Sequence, residues 1–250
     1  MLFCAHAGAY SQDVAFFSDD LGNTFNVSAS TPYNPTRNVL KGMDECSLAQ
    51  LSNGSIILVL RNFGGYHEHD SRGLHNPRCA DGGICKAYSR SDDFGLTWSA
   101  VSYFSDVRSG SCEAGVLADP QWPKGLFVSV GDSDAPPNTG RMRMMLHYSS
   151  EGGDPGSWRE LLLLDANRSA YSQLIALSSR PGYVGVLWEA LSPDEWFIGE
   201  MRLQWVPVPV PGLESTPGPT PALGPGPVSV ATSEAADTRG VRTPSTRRTA

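Results

Sequence analysis

The sequence predicts an all-β protein assembled from repeated antiparallel sheets around an axis, and three observations predict it. The first is a turn that recurs three times: Ser18-Asp19-Asp20-Leu21-Gly22-Asn23-Thr24-Phe25, Ser91-Asp92-Asp93-Phe94-Gly95-Leu96-Thr97-Trp98, and the looser Ser150-Glu151-Gly152-Gly153-Asp154-Pro155-Gly156-Ser157-Trp158. Recurrence at intervals of tens of residues, bracketed by short apolar runs, is the signature of repeated sheets. The second is a series of short β-branched and aromatic runs separated by turn residues. The third is that no stretch of comparable length repeats its apolar residues with a helical period.

Taken in order, the opening Met1 to Tyr10 lacks the basic region and long apolar segment of a secretory signal and reads as the middle of a strand, which implies a chain that begins inside a fold. Residues 13–17 and 55–60 read as strands, and 125–130, 141–148, 172–177 and 183–188 continue the series. Ser52-Asn53-Gly54 and Arg180-Pro181-Gly182 supply turns between them. In each recurring turn the third-position Asp accepts from backbone amides ahead of it, the fifth-position Gly takes positive φ, and Thr or Ser closes the loop before an aromatic ring that folds back onto the sheet. Ser18, Asp20, Gly22, Ser91, Asp93, Gly95, Thr97 and Trp98 are therefore read as structural turn residues. The third copy carries one inserted residue and a Gly where the Asp belongs, so it is a degenerate version with Asp154 as scaffold. Met142, Met144 and Met145 are expected to pack between strands, and Trp98, Trp158 and Trp188 to be core or turn residues. After Trp205 the composition turns to Pro, Gly, Ser, Thr and Ala, which divides the chain into a folded part, 1–205, and a disordered tail, 206–250.

Bulk properties narrow the function classes. The 250 residues are 40% hydrophobic and 18% charged, enough for a real core, and the net charge of -7 argues against a nucleic-acid footprint. No apolar stretch reaches membrane-spanning length. Five cysteines do not make a dense disulfide framework; Cys79 and Cys85 flank Asp81-Gly82-Gly83 and are candidates for a bridge across a loop. Asn26-Val27-Ser28, Asn53-Gly54-Ser55 and Asn167-Arg168-Ser169 are sequons that a secreted chain would expose to glycosylation.

Chemistry concentrates in residues 42–62, which place Glu45 before one strand, the Ser52-Asn53-Gly54 turn in the middle and Arg61 at the end of the returning strand. A tight hairpin brings its ends together, so Glu45 and Arg61 could share one mouth of the fold. On pattern alone an exposed ion pair closing the hairpin is the commoner outcome. His67 and His69, with Glu68 and Asp70, do not supply a full ligand set by spacing, so no metal and no cofactor is expected.

The recurring turn resembles the Asp-box of sialidases. The segment Asp44-Glu45-Cys46, with Leu51, Asn53-Gly54-Ser55 and Arg61-Asn62 in register, is similar to a stretch of lysosomal-type sialidases, followed by an aromatic and histidine-rich stretch that Tyr66-His67-Glu68-His69 matches. Arg141 to Ser149 resembles the family strand that enters an Asp-box, Ala170-Tyr171-Ser172-Gln173-Leu174 its tyrosine motif, and Val186-Leu187-Trp188-Glu189 a later strand. The resemblance covers residues 1–205. It implies a six-bladed β-propeller, an exo-α-sialidase activity on sialylated glycans, Tyr171 as nucleophile, Glu45 as its base, Arg61 and Arg141 as grips on the substrate carboxylate, and Glu189 in support. It also implies that the histidine-rich loop lines the glycan pocket. Those residue types suit the chemistry. A sialic acid carries a carboxylate on its anomeric carbon, which repels an anionic nucleophile but not a neutral phenol. A phenol needs a neighbouring base, and guanidinium forks suit carboxylates. Arg143 rivals Arg141 for the second grip, being expected on the same strand face; spacing to the following serine favours Arg141.

The family's first arginine and its acid/base Asp have no counterpart; Arg37, Asp13 and Asp44 lack the context. About 205 ordered residues at about 45 to 60 per blade make three to four blades, an open ring. The sequence is accordingly read as the C-terminal portion of a sialidase, whose turnover is expected to be low. A non-catalytic sialoglycan-binding propeller and an inert fragment are the alternatives, and compartment and oligomeric state stay open.

Overall fold

Fourteen β-strands and no helix make up the regular structure among the described residues, which in this computed structural model are 1–7, 12–28, 43–62, 85–110, 112–132, 141–191 and 198–208. They form four antiparallel sheets, each a meander whose neighbours in sequence are neighbours in space. The first sheet holds β1 (Leu2–Ala7), β2 (Gln12–Phe17) and the two-residue β3 (Asn26–Val27). The second holds β4 (Met43–Gln50), β5 (Ile56–Asn62), β6 (Cys85–Ser91) and β7 (Ser102–Arg108). The third holds β8 (Gly115–Leu117), β9 (Leu126–Asp132), β10 (Met142–Ser149) and β11 (Trp158–Asp165). The fourth holds β12 (Ser169–Ala176), β13 (Tyr183–Leu191) and β14 (Ile198–Pro207). Strand β1 lies beside β4, β4 beside β8 and β8 beside β12.

The apolar runs read from sequence fall on β2, β5, β9, β10, β12 and β13, while β6, β7, β11 and β14 carry too many polar residues to announce themselves. Composition drew a boundary at 205, and β14 runs on through Pro207 with Val206 and Val208 buried. Pro207 is tolerated because β14 is an edge strand that needs no further ladder donor there. The residues after 208 lie outside the described set, as do Tyr66 to Asp70, Arg37 and Cys79.

Among the described residues, three hydrophobic clusters lie between successive sheets. Ile56, Leu58 and Leu60 of β5 meet Ala15 of β2 on one side, while Ile57 and Val59 meet Ala114, Val116 and Val128 on the other. Both faces of β5 are covered, so its sequence reads as one continuous apolar run. Each such side chain contributes roughly 1.5–3 kcal/mol by leaving water. Met144, Leu146 and Tyr148 of β10 pack on Val184, Val186 and Trp188 of β13. Met142, expected in the packing, is exposed instead, because it lies where β10 breaks register with β9. The Cys4–Cys46 disulfide, which no spacing suggested, ties β1 to β4 across 42 residues. Cys85 is also disulfide-bonded.

The recurring turns join β2 to β3, β6 to β7 and β10 to β11 at one end of the sheets. In the first, Ser18 Oγ donates to Asp20 Oδ1 (2.8 Å), Gly22 N donates to Ser18 Oγ (2.7 Å), and Thr24 N donates to Asp20 Oδ1 (2.9 Å). The second repeats these bonds with Ser91, Asp93, Gly95 and Thr97. The threonine bonds hold both carboxyls down at about 2. In the third, Gly153 N donates to Ser149 Oγ at 2.8 Å, and Gly152 and Gly153 take φ of +65° and +93°, close to +61° and +91° at Leu21 and Gly22. That turn therefore begins at Ser149, one residue before the sequence reading put it, and Glu151 stands in the Asp position. Asp154 instead pairs with Arg90 at 3.3 Å.

Candidate active site

At the opposite end of the sheets, three ladders shift register beside residues singled out by sequence. The β4–β5 register shifts between Asp44 and Ser47, the β10–β9 register between Met142 and Met144, and the β12–β13 register between Ser169 and Ser172. Each interruption brackets or adjoins a residue singled out by sequence: Glu45, Arg141 and Tyr171. Glu45 has φ of +48° and Arg143 of +53°, a left-handed backbone that costs a non-glycine residue about 1–3 kcal/mol. Bulges re-aim side chains in this way. The strand alternation that put Arg141 and Arg143 on one face consequently does not hold across Met142, since the bulge resets it.

These bends gather the side chains. Tyr171 Oη donates to Glu45 Oε1 at 2.6 Å across 126 residues of sequence. Arg61 Nη1 donates to Glu45 Oε2 and lies 3.5 Å from Tyr171 Oη. The Arg141 guanidinium sits 5.1 Å from the centre of the Tyr171 ring. Glu189 reaches the same tyrosine from β13, with Oε2 accepting from Tyr171 N at 3.4 Å. All five residues that sequence assigned to chemistry are thus at one place. Arg61 and Glu45 are partly buried and not the exposed hairpin pair that pattern favoured.

Electrostatics follow from that packing. Burial, then the hydrogen bond to Glu45, push the Tyr171 hydroxyl up to about 12, so it rests protonated. Burial disfavours the Arg61 charge, yet the Glu45 hydrogen bond and charge outweigh it and raise its pKa. Burial also lifts the Glu189 carboxyl above the usual range. The arrangement offers a phenol whose proton has a carboxylate 2.6 Å away, beside two permanent cations that suit an anion.

Behind this pair lie groups that sequence reasoning missed. Lys86, wholly buried, donates from Nζ to the Cys112 carbonyl, and burial lowers its amine to about 8. Glu113 Oε1 accepts from Ser47 Oγ at 2.7 Å, and its Oε2 accepts from Ser172 N at 3.4 Å. Burial raises the carboxyl of Glu113 and the thiol of Cys112. Sequence offered no signal for Lys86, because Cys85–Ser91 carries too many polar residues to be read as a strand. Asp13, on β2, is wholly buried. Among the described residues no group of three or more His, Cys, Asp or Glu could hold a metal ion, and no helix is long and apolar enough to cross a membrane.

No family model matches the sequence, and no curated protein matches it. Solved structures do match. The NanB sialidase of Streptococcus pneumoniae aligns at 22% identity with a TM-score of 0.51, covering 75% of this chain and 25% of that one. A Hadza microbial sialidase, Hz136, aligns at 25% identity and 0.51, covering 72% and 30%. A leech intramolecular trans-sialidase, in complex with 2,7-anhydro-Neu5Ac, aligns at 16% identity and 0.56, covering 82% and 29%. The chain shares the sialidase fold with them and spans under a third of their length.

Proposed function

We propose that the four sheets, the last of which ends at Pro207, are blades of a sialidase propeller, and that its bulged end is the nucleophile half of an exo-α-sialidase site of the lysosomal type. The observation that carries this reading is the 2.6 Å bond from Tyr171 Oη to Glu45 Oε1 beside Arg61. Its substrate would be a terminal sialic acid on a glycoprotein, a glycolipid such as a ganglioside, or an oligosaccharide. The three serine-led turns, at the far end, are then Asp-boxes with a purely structural part, and the proposed tail begins after Val208 and not after Trp205.

In this mechanism Arg61 and Arg141 hold the substrate carboxylate. Tyr171 Oη bonds to the anomeric carbon as its proton passes to Glu45 and the bond to the leaving group breaks. A phenol held near pKa 12 is not an anion at rest, so it approaches the carboxylate-bearing carbon without repulsion and loses its proton only as the bond forms. Water then attacks the anomeric carbon from the vacated side and sheds a proton to solvent, while Glu45 returns its proton to the departing tyrosine oxygen; two displacements retain configuration. Glu189 fixes the Tyr171 main chain. None of these five residues protonates the substrate's leaving group, so a leaving group that needs no proton isolates their part of the reaction.

A sialosyl fluoride tests the reading, because fluoride leaves without a proton. Fluoride release by the full chain is expected, with loss of at least about a hundredfold in Tyr171→Phe. Release that survives the substitution contradicts it, and binding of sialyllactose without release points to a sialoglycan-binding propeller.

A further inference from the structure

The structure assigns Glu113 as a positioning residue that sets the distance between Tyr171 and Glu45, an inference resting on the reading of those two as the reacting pair. Glu45 is on β4 of the second sheet and Tyr171 on β12 of the fourth, so no ladder of main-chain bonds joins them. Between them runs β8, and Glu113 stands two residues before its start. One carboxylate oxygen takes Ser47 Oγ, two residues beyond Glu45, at 2.7 Å, and the other takes Ser172 N, next to Tyr171, at 3.4 Å. A single carboxylate thus spans both strands directly behind the pair.

The span is anchored from both sides. Lys86, with no solvent exposure, donates to the carbonyl of Cys112, the residue before Glu113, and so pins the main chain from which the carboxylate extends. Ser172 Oγ donates to Ser129 O at 3.0 Å and accepts from Ser129 Oγ at 2.8 Å and Gly115 N at 3.2 Å, which holds β12 against β8 and β9. Two donors face two acceptor oxygens. Glutamine could keep both legs, its carbonyl oxygen accepting from Ser172 N and its NH₂ donating to a rotated Ser47 hydroxyl, whereas methionine, of similar length, removes both acceptors. Aspartate is a methylene too short to keep both. Glu113 makes no contact with the Tyr171 hydroxyl, so it acts only through the strands.

The test uses full-length chain labelled with [¹³Cζ]tyrosine, the Tyr171 resonance being the one lost in Tyr171→Phe. Glu45→Gln, which removes the charge that accepts this hydrogen bond, gives the reference shift. Glu113→Met is expected to move the resonance in the same direction and to add little once Glu45 is already Gln, because both act on one bond. Ser47→Ala, which removes one leg and leaves the buried charge in place, is expected to move it less, so the inference stays falsifiable should Glu113→Met not fold. Fluoride release should fall about tenfold to a hundredfold in kcat in Glu113→Met with KM nearly unchanged. A Tyr171 resonance unmoved in both variants, or a Glu113→Met shift that adds fully to that of Glu45→Gln, overturns the clamp whatever the turnover. Fluoride release indifferent to Tyr171→Phe overturns the functional reading instead, and the resonance still decides the clamp.

Discussion

The two ends of these sheets are built by different rules. At one end, the Ser18 and Ser91 turns close on themselves within eight residues: the serine, aspartate and threonine side chains bond to one another and to amides of the same turn. At the other, Tyr171 meets Glu45 across 126 residues, Glu113 bridges strands of separate sheets, and three ladders break to let this happen. The turn end is local and repeated, whereas the site end is long-range and unique. Damage at the first should cost stability alone, and damage at the second should cost chemistry.

The largest effect expected is at the site. Glu45→Gln removes the proton acceptor and should lower fluoride release about 10²- to 10⁴-fold with the fold intact by circular dichroism; a loss below tenfold would mean the carboxylate is not the base. Next come two glycines that separate the ends. A Cβ on Gly115 would stand 2.6 Å from Ser129 Oγ and 3.0 Å from Ser172 O, forcing β8 and β12 apart, so Gly115→Ala should cost about 1–3 kcal/mol in urea unfolding and also slow release. Gly54, in the β4–β5 turn with φ of +89° and nothing within 4 Å, suffers only backbone strain, so Gly54→Ala should cost about 1 kcal/mol and leave turnover alone. Equal effects on turnover would erase the distinction.

His147 lies in β10, in the interior. It is buried, neither ring nitrogen has a partner, and burial lowers it from 6.5 to about 4. The unfolded chain therefore takes up the proton first, and stability should fall as pH drops below about 6.5 and level off near about 4. His147→Leu should flatten that limb and recover about 1–3 kcal/mol; an unchanged acid limb would assign the loss to other groups. The smallest effect belongs to Asp93→Ala. Because folding lowers this carboxyl from 3.8 to about 2, its support is present above about 4 and vanishes as pH falls through about 2. Variant and wild type should differ slightly in urea midpoint at pH 7, converge near pH 2, and release fluoride alike per folded molecule.

The same contrast explains what the sequence made legible. Turns at Ser18 and Ser91 were readable because cause and effect lie within one window, and β5 because both its faces are covered. The hairpin read over residues 42–62 brought Glu45 to Arg61, but their roles, and Tyr171 and Arg141, came from resemblance, since no local pattern joins residues so far apart. Glu113 and Lys86 carry no motif. The bulge that lifts Met142 into solvent and resets the face of Arg143, and the left-handed backbone at Glu45, belong to tertiary packing, which periodicity does not encode. The third turn was read one residue late because Glu151 fills the place where an aspartate was sought.

The central claim is that the Tyr171 hydroxyl attacks carbon while Glu45 takes its proton. Incubating the full chain with a 3-fluorosialosyl fluoride, whose added fluorine slows breakdown of the glycosyl-enzyme, and mapping the adduct by peptide mass tests it most directly. The account predicts one sialosyl group on Tyr171, absent in Tyr171→Phe and formed far more slowly in Glu45→Gln; a label on any other residue, or none where fluoride is still released, would contradict it.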